Sequence, residues 1–267
     1  LEKDKSALIA AALKRSLLGV RIQYILGQTE FMDLEFKVSP DVLIPRPETE
    51  LLVEAAIKQV TKSPPKADPP TAEQGREIRS INILDIGTGS GCIAVSLAKL
   101  LPAGITLTAT DISAQALQVA RQNASLNNVS AWVSFIQSDL FAAYNLTPNT
   151  YDLIVSNPPY IATSDIDNLQ PEIGYEPRIA LDGGSDGLSI YRRIIPGAKG
   201  YLKEGGSLIL EMGYNQRGRI ENIFQKSGNF EIIKVIKDYN NIDRVIIAQS
   251  AQRKASATRI GGRPLKN

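Results

Sequence analysis

The chain has 267 residues, 43% of them hydrophobic, with a net charge of +2 from 30 basic and 28 acidic side chains. That is enough material for one large α/β domain with appendages, and the charge balance makes no case for tight nucleic-acid binding. No histidine and a single cysteine, Cys92, rule out a Ser-His-Asp triad and an intramolecular disulfide and leave no donor set for structural zinc.

Apolar runs fall far short of the roughly 20 residues a membrane helix needs, and no segment has the order of a signal peptide. Together with the cysteine usage this points to a cytoplasmic chain. Basic clusters at Lys14-Arg15, Arg192-Arg193 and from Arg253 to Lys266 read as solvated faces or tail.

In chain order, residues 4–18 are Ala/Leu-rich, end before Gly19 and predict a helix. The chain begins at Leu1 rather than Met and reads as a segment of a longer protein. Within residues 22–38 the runs Phe31–Leu34 and Glu35–Val38 suit a small hairpin. Pro45-Arg46-Pro47-Glu48-Thr49-Glu50 is a rigid lead-in to a helix reaching about Val60, with Glu48 and Glu50 placed to favour the helix dipole. Residues 61–80 hold Pro64, Pro65, Pro69 and Pro70 and read as a flexible insertion.

From Ile81 strands and helices alternate. Strands are expected at 81–86, 105–110, 132–137, 152–156, 207–212, 230–236 and 245–249, and helices at 91–101, 114–126, 188–202 and 216–226. The order predicts an α/β fold with a mostly parallel seven-stranded sheet, ending in an antiparallel hairpin and preceded by a helix and a small β-hairpin. That is the shape of Rossmann-like, class I methyltransferases. The expected units are residues 1–20, 21–60, 61–80, 81–250 and a disordered tail over 251–267.

Four strand ends carry distinctive chemistry. Asp85, Gly87, Thr88, Gly89, Ser90 and Gly91 follow the first strand and open a helix, so backbone N–H groups can approach a ligand closely. The spacing G-x-G-x-G differs from the dinucleotide pattern G-x-G-x-x-G and resembles motif I of S-adenosylmethionine methyltransferases; a purely structural tight turn is the competing reading. Asp111 ends the second strand and can accept from two ribose hydroxyls, or stand as a solvated strand-end acid. Asp139 after the third strand can accept from an adenine amino group, with Ile112 and Leu140 covering the ring.

Asn157-Pro158-Pro159-Tyr160 follows the strand Asp152–Ser156. The prolines fix φ and remove two donors, leaving carbonyls that no neighbouring N–H claims. The Asn157 side-chain oxygen and the Pro158 carbonyl can then accept both hydrogens of one NH2 group, and Tyr160 offers a flat face to the substrate. A Pro-rich turn closing a strand is the bland alternative.

With Gln23–Gly27, Val42–Glu50, Asp85–Gly91, Asn157–Tyr160 and Tyr175–Leu188 in place, the chain closely resembles the HemK/PrmC family, the peptide chain release factor glutamine methyltransferases, over roughly residues 5–250. The resemblance implies methyl transfer from S-adenosylmethionine to the side-chain amide of the glutamine in the Gly-Gly-Gln motif of class 1 release factors. It implies that Gly87, Thr88, Gly89, Ser90, Gly91, Asp111, Asp139, Leu140 and Asn157 hold the cofactor. Asn157, Pro158, Pro159 and Tyr160 would hold the glutamine, with Asn157 and Pro158 catalytic, and no metal takes part.

Family members usually begin with a helical domain that contacts the release factor, of which residues 1–20 look like a remnant. The alternatives are a ribosomal-protein glutamine methyltransferase, whose sister group reads Pro-Arg-Ser-Pro at the helix lead-in, and a nucleic-acid adenine methyltransferase. The latter would want a strongly basic groove or a target-recognition domain.

Overall fold

The computed structural model describes residues 13–62, 80–102 and 104–251. Most of the 4–18 helix, the 61–80 insertion and the tail after Ala251 lie outside these residues; residues 13–17 are helical. Among the described residues no helix is long and apolar enough to cross a membrane.

After the helical residues 13–17 comes α1 (Ile22–Leu26), a five-residue helix closed by Gly27 in the left-handed conformation. Sequence periodicity cannot expose so short a helix, and it was not anticipated. The hairpin follows as β1 (Gln28–Phe31) and β2 (Leu34–Lys37). Its turn is Met32-Asp33, at φ 54° and 58°, inside what the alternation suggested was a strand. Two left-handed residues make the tight turn that suits hairpin twist. Glu50 supports it by accepting from the Met32 N–H at 2.8 Å. The helix α2 (Pro47–Lys62) starts at its proline, as expected of a residue with no N–H to lose.

The main sheet contains β3 (Ile81–Ile86), β4 (Ile105–Asp111), β5 (Val133–Gln137), β6 (Tyr151–Ser156), β7 (Leu202–Glu211), β8 (Phe230–Lys237) and β9 (Asp243–Ser250). Their order is β5-β4-β3-β6-β7-β9-β8. The first five strands run parallel, and β9 pairs antiparallel with both β7 and β8. Helices α3 (Cys92–Leu100), α4 (Ala114–Leu126), the single turn α5 (Thr163–Ile166), α6 (Tyr191–Tyr201) and α7 (Arg217–Ser227) complete the fold. The strand β7 starts at Leu202, five residues before the expected Ser207, because Leu202 pairs with Tyr151 before the register shifts and Ser207 pairs with Leu153. Gly205-Gly206 therefore form an irregularity within a strand rather than a turn before it.

Alternation along the strands builds two cores. Ile83, Leu107, Ala109, Leu153, Val155 and Ile209 face one side, where they meet α2, α3 and the hairpin residues Phe31 and Phe36. Leu84, Ile86, Ile154, Leu208 and Leu210 face the other, against α6 and α7. The hairpin is also tied to α4: buried Asn123 accepts from the Lys37 N–H at 2.7 Å and donates to the Lys37 carbonyl at 2.9 Å and the Ser90 carbonyl at 2.8 Å. The segments before and after the insertion thus share one core.

Candidate active site

The register puts Thr110, Ile86, Ser156 and Leu210 side by side across four parallel strands. One residue further along come Asp111, Gly87, Asn157 and Glu211. The chain runs outward from β3 through β4 to β5, then returns to place β6 on the other side of β3. Ligands of open α/β sheets bind at such a reversal, beyond the carboxyl ends of the strands.

On the β3–β4 side, the loop is held from below. The N–H groups of Gly87 and Thr88 both donate to the Thr110 carbonyl, at 2.8 and 2.9 Å. Gly87 and Gly89 have φ of 72° and 55°, and a Cβ on either would meet nothing within 4 Å. Their backbone therefore faces open space in a conformation that other residues rarely adopt. Gly91 is small for a different reason: a Cβ there would sit 3.0 Å from the Ala120 side chain.

Asp111 binds this loop with both oxygens, accepting from the Gly89 N–H at 2.8 Å and the Ser113 N–H at 2.9 Å. Burial raises its pKa and those N–H bonds hold it down. Each carboxylate oxygen keeps a second lone pair for a ligand hydroxyl.

Asp85 is wholly buried beneath the loop. Thr88 donates to its Oδ2 at 2.7 Å, while Oδ1 has no partner among the described residues. Burial pushes its carboxyl up to about 7, the Thr88 bond and the Ala94 backbone N–H oppose it, and the nearby Asp111 adds to the rise. An orphaned buried oxygen beside open glycine backbone suits a ligand carrying an ammonium or hydroxyl donor. Asp139 is half-exposed and receives Arg193 at 2.8 Å. Leu140, at φ 52°, is held in the left-handed region with its carbonyl accepting from the Ser138 hydroxyl. Ile112 is 47% exposed.

On the β6–β7 side, polar side chains do the holding. Asn157 donates through Nδ2 to the Thr49 hydroxyl at 3.1 Å, and Thr49 donates to Glu211 Oε2 at 2.7 Å. Among the described residues no donor reaches the carbonyls of Asn157, Pro158 or Pro159. The Tyr160 carbonyl is claimed by Gln216 Nε2 at 2.8 Å, and Gln216 Oε1 accepts from the Gly213 N–H at 3.0 Å. The Tyr160 ring lies against Gly213, where a Cβ would be 2.8 Å from it.

The segment Tyr175–Leu188 wraps this turn. Ile161 and Asp182 bridge, the Gly183 N–H donates to the Ile161 carbonyl at 2.8 Å, and a Cβ at Gly183 or Gly187 would strike the carbonyls of Pro159 or Tyr160. Arg46 reaches across to the fully buried Glu176 at 2.6 Å, and Arg21 joins it at 3.1 Å. Every polar side chain of Arg46, Thr49 and Glu50 is thus committed to a different neighbour. A separate cavity of about 470 Å³ between α6 and α7, lined by Arg192, Arg219 and Lys226, contains none of these strand-end residues.

The structure brings the glycine loop and Asp111 into one unit, and Asn157 to Tyr160 into an adjoining one. Three contributors have no role legible in the sequence. Asp85 there only precedes the glycines. Thr49 reads as a residue of a helix start. Glu211 lies in an apolar strand, where its signal is an isolated acid ending the run Leu208-Ile209-Leu210.

Residues 72–173 match the family model described as Methyltransferase small domain. Among curated relatives, the release factor glutamine methyltransferase of Moorella thermoacetica is 42% identical over 237 residues, covering 89% of this chain and 77% of that protein. The Geobacter sulfurreducens protein of the same name is 43% identical over 240 residues, covering 90% and 75%. The one from Fusobacterium nucleatum is 41% identical over 251 residues, covering 94% and 66%.

The fold is shared with solved methyltransferases of low identity. The ribosomal protein L11 methylase of Lactobacillus delbrueckii has TM-score 0.53 at 20% identity, over 78% of this chain and 81% of that one. The hMettl16 catalytic domain has TM-score 0.65 at 16% identity, over 87% and 81%. With its class I methyltransferase sheet and its extensive identity to those curated relatives, the chain belongs to the release factor glutamine methyltransferase family.

Proposed function

We propose that this chain methylates the side-chain amide nitrogen of the glutamine in the Gly-Gly-Gln motif of class 1 release factors, in the cytoplasm, and so modulates translation termination. One observation carries the reading. The Asn157 NH2 is tied back to Thr49, which leaves its oxygen unclaimed in the same turn as the unclaimed Pro158 carbonyl. Two acceptors at a strand end, next to a glycine loop with a spare buried carboxylate oxygen, fit a primary amide on one side and S-adenosylmethionine on the other.

In this reading Asp111 would hold the ribose, Asp85 would face the cationic end, and Leu140 and Ile112 would flank the adenine. Asp139 would reach the adenine amine only by sharing its carboxylate with Arg193. Bound there, S-adenosylmethionine supplies an electrophilic methyl group on a sulfonium. Asn157 and Pro158 accept both amide hydrogens, which turns the nitrogen lone pair outward and stabilises positive charge as it develops. The Tyr160 ring packs on the amide plane. Its phenol, pushed up to about 12 by burial and the Glu211 charge, stays protonated and takes no proton from the amide. The proton leaves to water, so no dedicated base is required.

Protein rather than nucleic acid is favoured by the near-neutral charge and by arginines already paired with acids, such as Arg192 and Arg219 on Asp186. The test is incubation with methyl-labelled S-adenosylmethionine and an intact release factor, with adenine-containing RNA as control, and mapping of the label by mass spectrometry. Label on the Gly-Gly-Gln glutamine supports the proposal. Label on RNA, or on no glutamine, overturns it.

A further inference from the structure

We propose that Thr49 and Glu211 are positioning residues, a hydrogen-bond relay that decides which way round the Asn157 amide stands. The proposal rests on the amide-methylation reading above and deepens it.

The oxygen and NH2 of an asparagine amide have nearly the same shape, so packing cannot choose between them and only hydrogen bonding can. The choice matters here. With its oxygen forward Asn157 accepts from the substrate NH2; with its nitrogen forward it sets donor against donor. The relay has one consistent direction while Glu211 is ionised. A carboxylate only accepts, so the Thr49 proton goes to Glu211 Oε2 at 2.7 Å. The Thr49 oxygen must then accept from its other neighbour, and Asn157 Nδ2 lies 3.1 Å away. The Asn157 oxygen is left facing the strand ends.

The three residues are 108 and 162 positions apart in sequence. They meet because Asn157 and Glu211 continue the odd-numbered series of β6 and β7 that faces α2. Thr49 and Glu211 are 2% and 1% exposed, so water does not replace the relay. The negative charge behind it also polarises the Asn157 oxygen, which strengthens its acceptance from a nitrogen becoming positive.

Protonated Glu211 reverses the direction. Its carboxyl donates to Thr49, Thr49 donates onward to the Asn157 oxygen, and the amide turns round. Burial lifts Glu211 to about 7, against hydrogen bonds from Thr49 and Asn157 and the charge of Arg244 on β9; Glu48 on α2 adds to the rise. Tyr160, Cys92 and Tyr191, which also lie near it, do not change charge in this range. Burial raises Tyr160 and Cys92 to about 12 and Tyr191 well above its usual value. Tyr191 is bonded to the Glu211 backbone carbonyl. Turnover should therefore have an acidic limb near pH 7 that belongs to Glu211. Asp85 also titrates near 7 but lies in the cofactor half, so its limb appears in S-adenosylmethionine affinity.

The experiment compares wild type, Thr49→Val, Thr49→Ser and Glu211→Gln on a Gly-Gly-Gln peptide, with turnover measured at saturating S-adenosylmethionine from pH 5.5 to 9 and cofactor affinity by calorimetry. Thr49→Val is isosteric and should lose about 10- to 100-fold in turnover, less than removal of a whole preorganised hydrogen bond, with unchanged cofactor affinity. Thr49→Ser should recover most of it. Glu211→Gln should turn over slowly and lose the acidic limb.

Wild-type turnover in folded Thr49→Val, no recovery in folded Thr49→Ser, or an unshifted acidic limb in Glu211→Gln would overturn the relay while leaving the function standing. Wild type that does not methylate the peptide would overturn the functional reading, and the relay with it.

Discussion

The two halves of the strand-end crevice are built by opposite means. The β3–β4 half is local: the bonds that shape it join Asp85 to Thr88, Asp111 to Ser113 and Gly89 to Asp111, at sequence separations of 3, 2 and 22. Its working surface is backbone and open space. The β6–β7 half is assembled from afar, with Asn157, Arg46 and Gln216 bonded across 108, 130 and 56 residues. Its working surface is side-chain oxygen and unclaimed carbonyl, held by a wrapping segment. In the proposed reading the first half binds by leaving room and the second works by fixing orientation, so the second should be far less tolerant of single changes.

Replacing Asn157 tests that contrast at its strongest point. Asn157→Ala removes one of the two acceptors and should cut turnover by roughly 100-fold or more, the scale of a lost preorganised hydrogen bond. Calorimetry should show S-adenosylmethionine binding nearly unchanged, since the glycine loop and Asp111 remain. Asn157→Asp should recover little, because a carboxylate cannot donate to Thr49 and adds a second charge near Glu211. Turnover near wild type in Asn157→Ala would mean that the second half is only a strand-closing turn.

Glu176 tests whether the wrapping segment belongs to that half alone. Its side chain is fully buried and faces Arg46 and Arg21, which are 23% and 27% exposed. Removing one partner of a buried pair costs about 3–5 kcal/mol; here water can reach the arginines, so Glu176→Ala should cost about 2–3 kcal/mol in denaturant unfolding. In protein that remains folded, the Michaelis constant for peptide should rise while cofactor affinity holds. Equal weakening of both would show that the two halves are not separable.

The same contrast explains what the sequence revealed. The sheet, its terminal hairpin and the helix Ala114–Leu126 were legible because alternation and helical periodicity are local signals. So was the glycine loop, whose parts lie within seven residues. Asn157 to Tyr160 stood out as a candidate site, but Thr49 and Glu211 did not, because nothing within a few residues of either names its partner. Pro45–Glu50 was legible as a helix lead-in and Tyr175–Leu188 only as a motif, and the tie between them was not visible: Arg46 pairs with Glu176, and the glycines of the second segment close over the turn after β6. The Met32-Asp33 turn was misplaced because methionine is an uncommon residue at positive φ.

In the first half, Asp111→Ala should weaken S-adenosylmethionine by about 1–3 kcal/mol, roughly 5- to 150-fold. Part of that loss is indirect, since Asp111 also ties the Gly89 and Ser113 N–H groups. Turnover at saturating cofactor should change much less. An unchanged dissociation constant would remove Asp111 from the cofactor site.

The smallest effect separates binding from stability within the same half. Burial lifts the Asp85 carboxyl from 3.8 to about 7. Between those values the folded chain holds a proton that the unfolded chain has released. Stability from this group is therefore full below about pH 4 and falls as pH rises to about 7, the reverse of a salt-bridged carboxylate. Asp85→Asn keeps the shape and an acceptor for Thr88 but cannot ionise. Ligand-free protein carrying it should melt close to wild type at pH 4.5 and several degrees higher at pH 8, each kcal/mol being worth roughly 2–4 °C for a domain of this size. Glu211 titrates in both chains, so its contribution cancels in the difference. Cofactor affinity should fall in the same variant, because the orphaned oxygen that costs stability is the one left for the ligand. A melting difference that stays constant from pH 4.5 to 8 would show that Asp85 carries no buried charge, and a variant with intact affinity would leave that oxygen without a role in binding.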